Sequence, residues 1–172
     1  MGVSCEITDD HESIRSADKV IFPGVGSAGV TMQYLRERKL DALIRSLTQP
    51  VLGICLGQQL LCSYSEEDNT FCIGIFQQKV KKFEPRLKVP HMGWNAIRNL
   101  RGPLFSPELE NQYVYFVHSY YVETCEYTAA TTDYIVPFSA AMHYRNFYTT
   151  QFHPEKSGSV GEIILKNFLQ NT

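Results

Sequence analysis

A cysteine held between two glycines, Gly53-Ile54-Cys55-Leu56-Gly57, is the arrangement in this chain most suited to chemistry. The residues leading into it, Val51-Leu52-Gly53-Ile54, are apolar or small, and Gln58-Gln59-Leu60-Leu61 begins an amphipathic run. That order reads as strand, sharp turn and helix with Cys55 at the apex, the cysteine form of a nucleophile elbow. Such a turn holds its nucleophile in a strained backbone conformation, and its neighbours must be small for the turn to close. A thiol at the start of a helix is drawn toward thiolate by the free N–H groups there. A thiolate nucleophile needs a base, and the base needs an orienting group. His153-Pro154-Glu155 offers both, at the end of a predicted strand. Residues i and i+2 of an extended segment share a face, and Pro154 keeps His153 out of helical conformation. A carboxylate on one imidazole nitrogen leaves the other for the thiol. Each motif alone has a plainer reading, a packing cysteine in one case and a surface ion pair in the other. Their occurrence in one chain favours the catalytic one.

Acyl transfer through a thioester also requires donors to the developing oxyanion. The backbone N–H of Leu56, directly after the nucleophile, is one. The loop Pro23-Gly24-Val25-Gly26 lies at the end of a predicted strand and is the candidate for the second, through Gly24, Val25 or Gly26. A glycine-rich loop can also cradle phosphate, but this one has neither the Gly-x-x-x-x-Gly-Lys form nor the dinucleotide-binding spacing.

The elements that must position these groups follow from apolar patterning. Residues 1–6 are a short strand candidate, 14–18 a helical turn, and Lys19-Val20-Ile21-Phe22 a buried strand. Helices are expected over 30–39, 41–48, 160–169 and from Cys55 to about Tyr64. Glu66-Glu67-Asp68-Asn69 reads as a solvated loop. Strands are expected over 51–54, 77–83, 91–97, 113–122, 127–133, 138–143 and 147–152. The first half alternates strands with helices, the mark of a parallel sheet, and the second half is mostly strands with short turns. The fold class is therefore α/β with a mixed sheet, as one domain over 1–172.

Composition sets limits. The 172 residues are 44% hydrophobic and 20% charged, with a formal net charge of −2, so no basic footprint points to nucleic acid. No apolar run approaches the roughly 20 residues that span a bilayer, and the N-terminus lacks the layout of a signal peptide. The five cysteines are odd in number and show no Cys-x-x-Cys spacing, which fits a reducing, cytosolic setting and indicates neither a disulfide framework nor a zinc site. His11, His91 and His143 read as packing or surface residues.

Gly53-Ile54-Cys55-Leu56-Gly57-x-Gln59 together with Gln151-Phe152-His153-Pro154-Glu155 resembles the class I, triad-type glutamine amidotransferases. Phe22-Pro23-Gly24-Val25-Gly26-Ser27-Ala28, His91-Met92-Gly93-Trp94-Asn95, Tyr115-Phe116-Val117-His118-Ser119-Tyr120 and His153-Pro154-Glu155-Lys156-Ser157-Gly158 resemble the glutaminase subunits of imidazole glycerol phosphate synthase within it. The resemblance implies a flavodoxin-like open sheet with an antiparallel extension. It implies that Cys55 attacks the side-chain amide of glutamine, with His153 moving the proton and Glu155 orienting it. Glutamate and ammonia are released, without cofactor or metal. It further implies a heterodimer in which ammonia passes to a (β/α)8-barrel synthase partner. That partner makes imidazole glycerol phosphate and aminoimidazole carboxamide ribotide in histidine biosynthesis. Gln59, His118, Ser119 and Tyr120 match positions that bind glutamine, and Trp94, Tyr115 and Lys156 match positions that face the partner. Plain alternatives are a surface glutamine, an ordinary aromatic strand and a core tryptophan.

Two departures from the family pattern are visible. Gln58 stands where relatives carry methionine, a change expected to affect packing only. The family also opens with a strand, an Asp-Tyr-Gly-x-Gly-Asn loop and a helix ahead of the segment matching 1–10, so its first βα unit is absent from this sequence. An open sheet edge is the expected result. Two other functions fit the same motifs: a different cysteine amidase on this fold, or a shortened form that binds the partner without catalysis.

Overall fold

The structure is a computed structural model and describes residues 2–24 and 26–172; Val25, one of the loop residues expected near the oxyanion, lies outside the described residues. In chain order the elements begin with α1 (His11–Ser16), β1 (Val20–Pro23), α2 (Ala28–Glu37), α3 (Leu40–Ser46), β2 (Val51–Ile54) and α4 (Leu56–Leu60). Short strands β3 (Tyr64–Ser65), β4 (Thr70–Phe71) and β5 (Lys79–Lys82) follow, then β6 (His91–Ala96), β7 (Tyr113–His118) and β8 (Tyr120–Val122). The chain closes with β9 (Thr128–Tyr134), β10 (Val136–Tyr144), β11 (Phe147–Thr150) and α5 (Gly158–Asn171).

The main sheet has the order β1-β2-β11-β10-β9. Its β1, β2 and β11 run parallel, and β10 and β9 add an antiparallel flank. Side chains alternate across it. Val51, Phe147 and Met142 join Met32, Leu43 and Leu60 on the face covered by α2 to α4. Leu52, Ile54 and Tyr148 meet Phe168 of α5 on the other. A four-stranded sheet, β4-β3-β5-β8, antiparallel except for its parallel β3-β5 pair, and a separate antiparallel ribbon, β6-β7, complete the strands. The expected α/β class is thus found, with the antiparallel part divided into three pieces.

Four local expectations are corrected. Residues 2–10 form no strand and are almost all exposed, Ile7 completely. A strand needs a partner for its N–H and C=O groups, and β1 pairs with β2 alone. The helix after Cys55 stops at Leu60 rather than near Tyr64, because the chain turns at once into β3. Glu67 and Asp68 are no mere solvated run. They accept from the N–H groups of Ala28 at 2.8 Å and Gly29 at 3.2 Å and from the Ser27 hydroxyl at 2.6 Å, capping the start of α2 from a distant loop.

Gln58 is the fourth. It is fully buried, its Nε2 donates to the Ser139 carbonyl at 3.2 Å and its Oε1 accepts from the Thr149 hydroxyl at 2.7 Å. The residue therefore ties α4 to β10 and β11 through hydrogen bonds. Gln58→Leu should cost on the order of 1–3 kcal/mol, because both partners lose a bond in a dry setting. Urea unfolding of Gln58→Leu, Thr149→Val and the double variant checks it: the double variant should be more stable than the sum of the singles.

Candidate active site

Two neighbouring parallel strands carry the proposed chemistry. Ile54 at the end of β2 pairs with Thr150 at the end of β11, and the Cys55 N–H donates to the Thr150 carbonyl at 2.7 Å. The chain beyond β2 makes the elbow, and the chain beyond β11 makes the His153 turn. Both groups therefore emerge at the same carboxyl-terminal edge of the sheet, where open α/β sheets hold their ligands.

The elbow has the expected strain. Cys55 has φ 55° and ψ −109°, a region costly for any residue with a Cβ. Closure demands glycine on both sides. A Cβ on Gly57 would lie 2.0 Å from the Phe22 carbonyl oxygen, and one on Gly53 would lie 2.8 Å from Leu61 Cδ1. The loop after β1 presses on the same turn: a Cβ on Gly24 would lie 2.2 Å from Leu56 Cβ. Gly24 is thus brought against Leu56 as the oxyanion reading requires, and Gly26 adopts φ 86°, open to glycine.

The thiol is half-buried, and burial pushes its pKa up to about 11, with the Leu56 N–H pulling weakly the other way. The expectation of a ready thiolate from the helix start is therefore not met. The helix has five residues, all buried, and desolvation outweighs it.

His153 Nδ1 meets Glu155 Oε1 at 2.7 Å, the contact that a base and its orienting carboxylate would need. His153 is held by its backbone as well, its N–H donating to the Tyr115 carbonyl at 2.9 Å while its own carbonyl accepts from Ser157 Oγ at 2.6 Å. Behind it, a Cβ on Gly161 would lie 1.8 Å from the Pro154 carbonyl oxygen, so α5 backs directly on the turn. Cys55 Sγ does not bond His153 in this state. Besides the Leu56 N–H, its polar neighbours include the Val117 carbonyl at 3.9 Å and Gln151 Nε2 at 3.7 Å. Free enzymes often close such bonds only with substrate present.

The segment 118–120 follows directly on Val117, whose carbonyl faces Cys55, but its histidine is occupied. His118 Nδ1 donates to the Tyr120 carbonyl at 2.7 Å, which leaves Nε2 to accept from His91 Nδ1 at 3.0 Å. Asn95 Nδ2 in turn reaches His91 Nε2 at 3.4 Å. Both rings are buried, and burial lowers their pKa values, to about 3 for His118 and about 4 for His91. His118 is thus a core residue whose ring is closed to substrate. Ser119 sits at the break between β7 and β8, its carbonyl accepting from Phe83. Gln59 is buried, with Nε2 donating to the Tyr120 carbonyl at 3.2 Å and to Gln151 Oε1 at 3.0 Å. Sequence reasoning missed Gln151, Val117 and the role of His91. All three lay inside segments already singled out, 91–95, 115–120 and 151–155, but nothing local in those segments marked these residues.

The histidine pair gives a pH dependence with a definite sign. Their folded pKa values lie below the ordinary 6.5, so below that pH the unfolded chain takes up protons the folded chain refuses. Stability should fall as pH drops from 6.5 toward 4, each ring contributing up to about 1.4 kcal/mol per pH unit. Urea midpoints at pH 7, 6 and 5 check this. His118→Gln should be less stable at pH 7 and show a shallower decline.

The last three positions lie together on the surface. Trp94 and Tyr115 face each other across the ribbon, rings 6.0 Å apart and edge to face, with Trp94 55% exposed. Met92 and Tyr113 extend the same exposed side, and Lys156 is exposed on the His153 turn that bonds to Tyr115.

The glutamine amidotransferase class-I family matches residues 3–172. The chain belongs to that family. Among curated amidotransferases of this kind, it is 60% identical to the imidazole glycerol phosphate synthase subunit HisH of Bacteroides fragilis, strain YCH46, over 99% of this chain and 88% of that protein. It is 50% identical to the protein of the same name from Pasteurella multocida, over 99% of this chain and 87% of that one. Two solved structures share the fold: a glutamine amidotransferase with a TM-score of 0.71 at 13% identity, covering 97% and 87% of the two chains, and a GMP synthase-type protein of Thermoplasma acidophilum with 0.69 at 20%, covering 94% and 75%. In the amidotransferase chain described here, no helix among the described residues is long and apolar enough to cross a membrane.

Proposed function

We propose that this chain is the glutamine-hydrolysing subunit of an imidazole glycerol phosphate synthase, a single amidotransferase domain over 1–172 acting in the cytosol. The observation that carries the reading is the pairing of a strained Cys55 and a Glu155-oriented His153 at the ends of adjacent parallel strands, in a chain of this family. Cys55 gives its proton to His153, and the sulfur attacks the side-chain amide carbon of glutamine. The Leu56 N–H and the loop at Gly24, Val25 and Gly26 receive the oxyanion. His153 passes the proton to the departing nitrogen, ammonia leaves, and water cleaves the thioester to glutamate. Gln59 contacts the substrate through its Oε1, which has no hydrogen bond among the described residues, and Ser119 and Tyr120 line the pocket by backbone. His118 supports that wall without touching glutamine.

The exposed side of the β6-β7 ribbon, with Trp94 and Tyr115, and Lys156 beside it form the surface for a (β/α)8-barrel synthase partner in a heterodimer. Exposed tryptophan, tyrosine and methionine side chains are the composition of an interface centre, with Lys156 at the polar rim. This surface adjoins the His153 turn, so ammonia has a short path to the partner.

Glutamate release from glutamine tests the reading, measured for the chain alone and with the barrel partner and its nucleotide ligand. The partner should raise the rate, and Trp94→Ala should lose most of that gain. Glu155→Gln should lower kcat by on the order of a hundredfold or more, because His153 loses the group that fixes its tautomer. Turnover of other amides with glutamine inert would overturn the assignment.

A further inference from the structure

We propose that Gln151 is a catalytic residue that sets the reactivity of the Cys55 sulfur, and that Gln59 is the positioning residue that aims it. The inference rests on Cys55 being the nucleophile, and deepens that reading.

The two buried amides form a chain whose orientation is determined by its far end. The Tyr120 carbonyl can only accept, so Gln59 must turn its NH2 group toward it. The second N–H of that group meets Gln151 at 3.0 Å, so Gln151 must present its oxygen there. Gln151 is then left with its own NH2 facing Cys55 Sγ at 3.7 Å. Reversing Gln151 would set two NH2 groups against each other and an oxygen against the sulfur. Full burial makes that orientation costly, because the mispaired groups would have no water to bond instead.

The sulfur therefore has a partner for each protonation state. As a thiol it can donate to the Val117 carbonyl, 3.9 Å away. As a thiolate it accepts from Gln151. A donor fixed in advance stabilises the charge that appears when His153 takes the proton, and costs no reorganisation at that moment. A buried sulfur has particular need of one, since burial disfavours its charged form. Gln59 holds the donor in place, and also stands where substrate would bind. Occupancy of Gln59 and the state of the thiol are thereby joined through a single side chain.

Alkylation of Cys55 by iodoacetamide reads this directly. The thiolate attacks the iodomethyl carbon, a C–S bond forms and iodide leaves, so the rate follows the thiolate population. The full chain is labelled between pH 6 and 10 and Cys55 is followed by peptide mass spectrometry, with exposed Cys5 as internal control. Gln151→Leu should slow Cys55 labelling about tenfold at pH 8 and move its pH profile up by about one unit, the size expected for one lost hydrogen bond to an ion. Gln151→Asn, too short to span both partners, should give a smaller shift in the same direction. Gln59→Leu should also shift the profile up while leaving Gln151 in place. Cys5 should label alike in all. An unchanged Cys55 profile in folded Gln151→Leu would overturn the proposal. Should that variant fail to fold, an unchanged profile in Gln151→Asn and Gln59→Leu would do the same. The readout needs no glutamine. A chain inert toward glutamine, with its partner present, that still shows these shifts would refute the glutaminase reading and leave only the control of the thiol by Gln151, and normal turnover without the shifts would do the reverse.

Discussion

Cys55→Ala should abolish glutamate release, a fall of at least a thousandfold, while the protein stays folded. The two consequences separate because the side chain and the backbone at this position contribute differently. In the proposed reaction the sulfur is the attacking atom, and the neighbouring Val117 and Gln151 cannot replace it. The backbone at φ 55° and ψ −109° is costly for alanine as it is for cysteine, so the substitution relieves nothing there. Cys55→Gly should differ. Glycine tolerates positive φ, so this equally inactive variant should be about 1 kcal/mol more stable than Cys55→Ala, after its greater unfolded-state entropy is deducted. Urea unfolding of the two variants beside the native chain measures the strain held at the elbow. Equal stabilities would show that none is held.

Gly57→Ala should remove both stability and activity. Its new methyl group would lie 2.0 Å from the Phe22 carbonyl oxygen, a backbone atom of β1 that cannot rotate away. Either β1 shifts or α4 does. The first moves the loop at Gly24, and the second moves Cys55 and Leu56. Overpacking against fixed backbone costs on the order of 3 kcal/mol. Loss of the oxyanion geometry adds a hundredfold or more in kcat. A melting temperature and a kcat both equal to those of the native chain would contradict the close packing described here. Gly24→Ala is a companion expected to be as costly, because the atom it meets first, Leu56 Cβ at 2.2 Å, is placed by the backbone, and the Gly57 nitrogen lies 2.8 Å away.

The features legible in the sequence were those encoded locally. Val51–Ile54 is four apolar or small residues before a glycine-flanked turn, and strand β2 has those very bounds. The His153–Glu155 contact follows from two residues on one extended stretch, and is found at 2.7 Å. What escaped depends on pairs distant in sequence. Glu67 and Asp68 look like any exposed acidic run until α2 is seen to begin beside them. Gln59 and Gln151 meet across the sheet, with no local pattern to announce it. His118 carries an ordinary strand position, and only the facing His91 in the β6-β7 register shows that its ring is taken. Residues 2–10 illustrate the opposite error. Their composition permits a strand, but a strand exists only with a neighbour, and none is provided.

Every residue of α4 is buried, from Leu56 to Leu60, although five residues are too few to hold a helix on their own. Such a segment has no frayed end and no solvent side through which to open alone. Its hydrogen-bonded amides, from Gln58 onward, should exchange with solvent deuterium only when the molecule unfolds as a whole, placing them among the slowest in the protein.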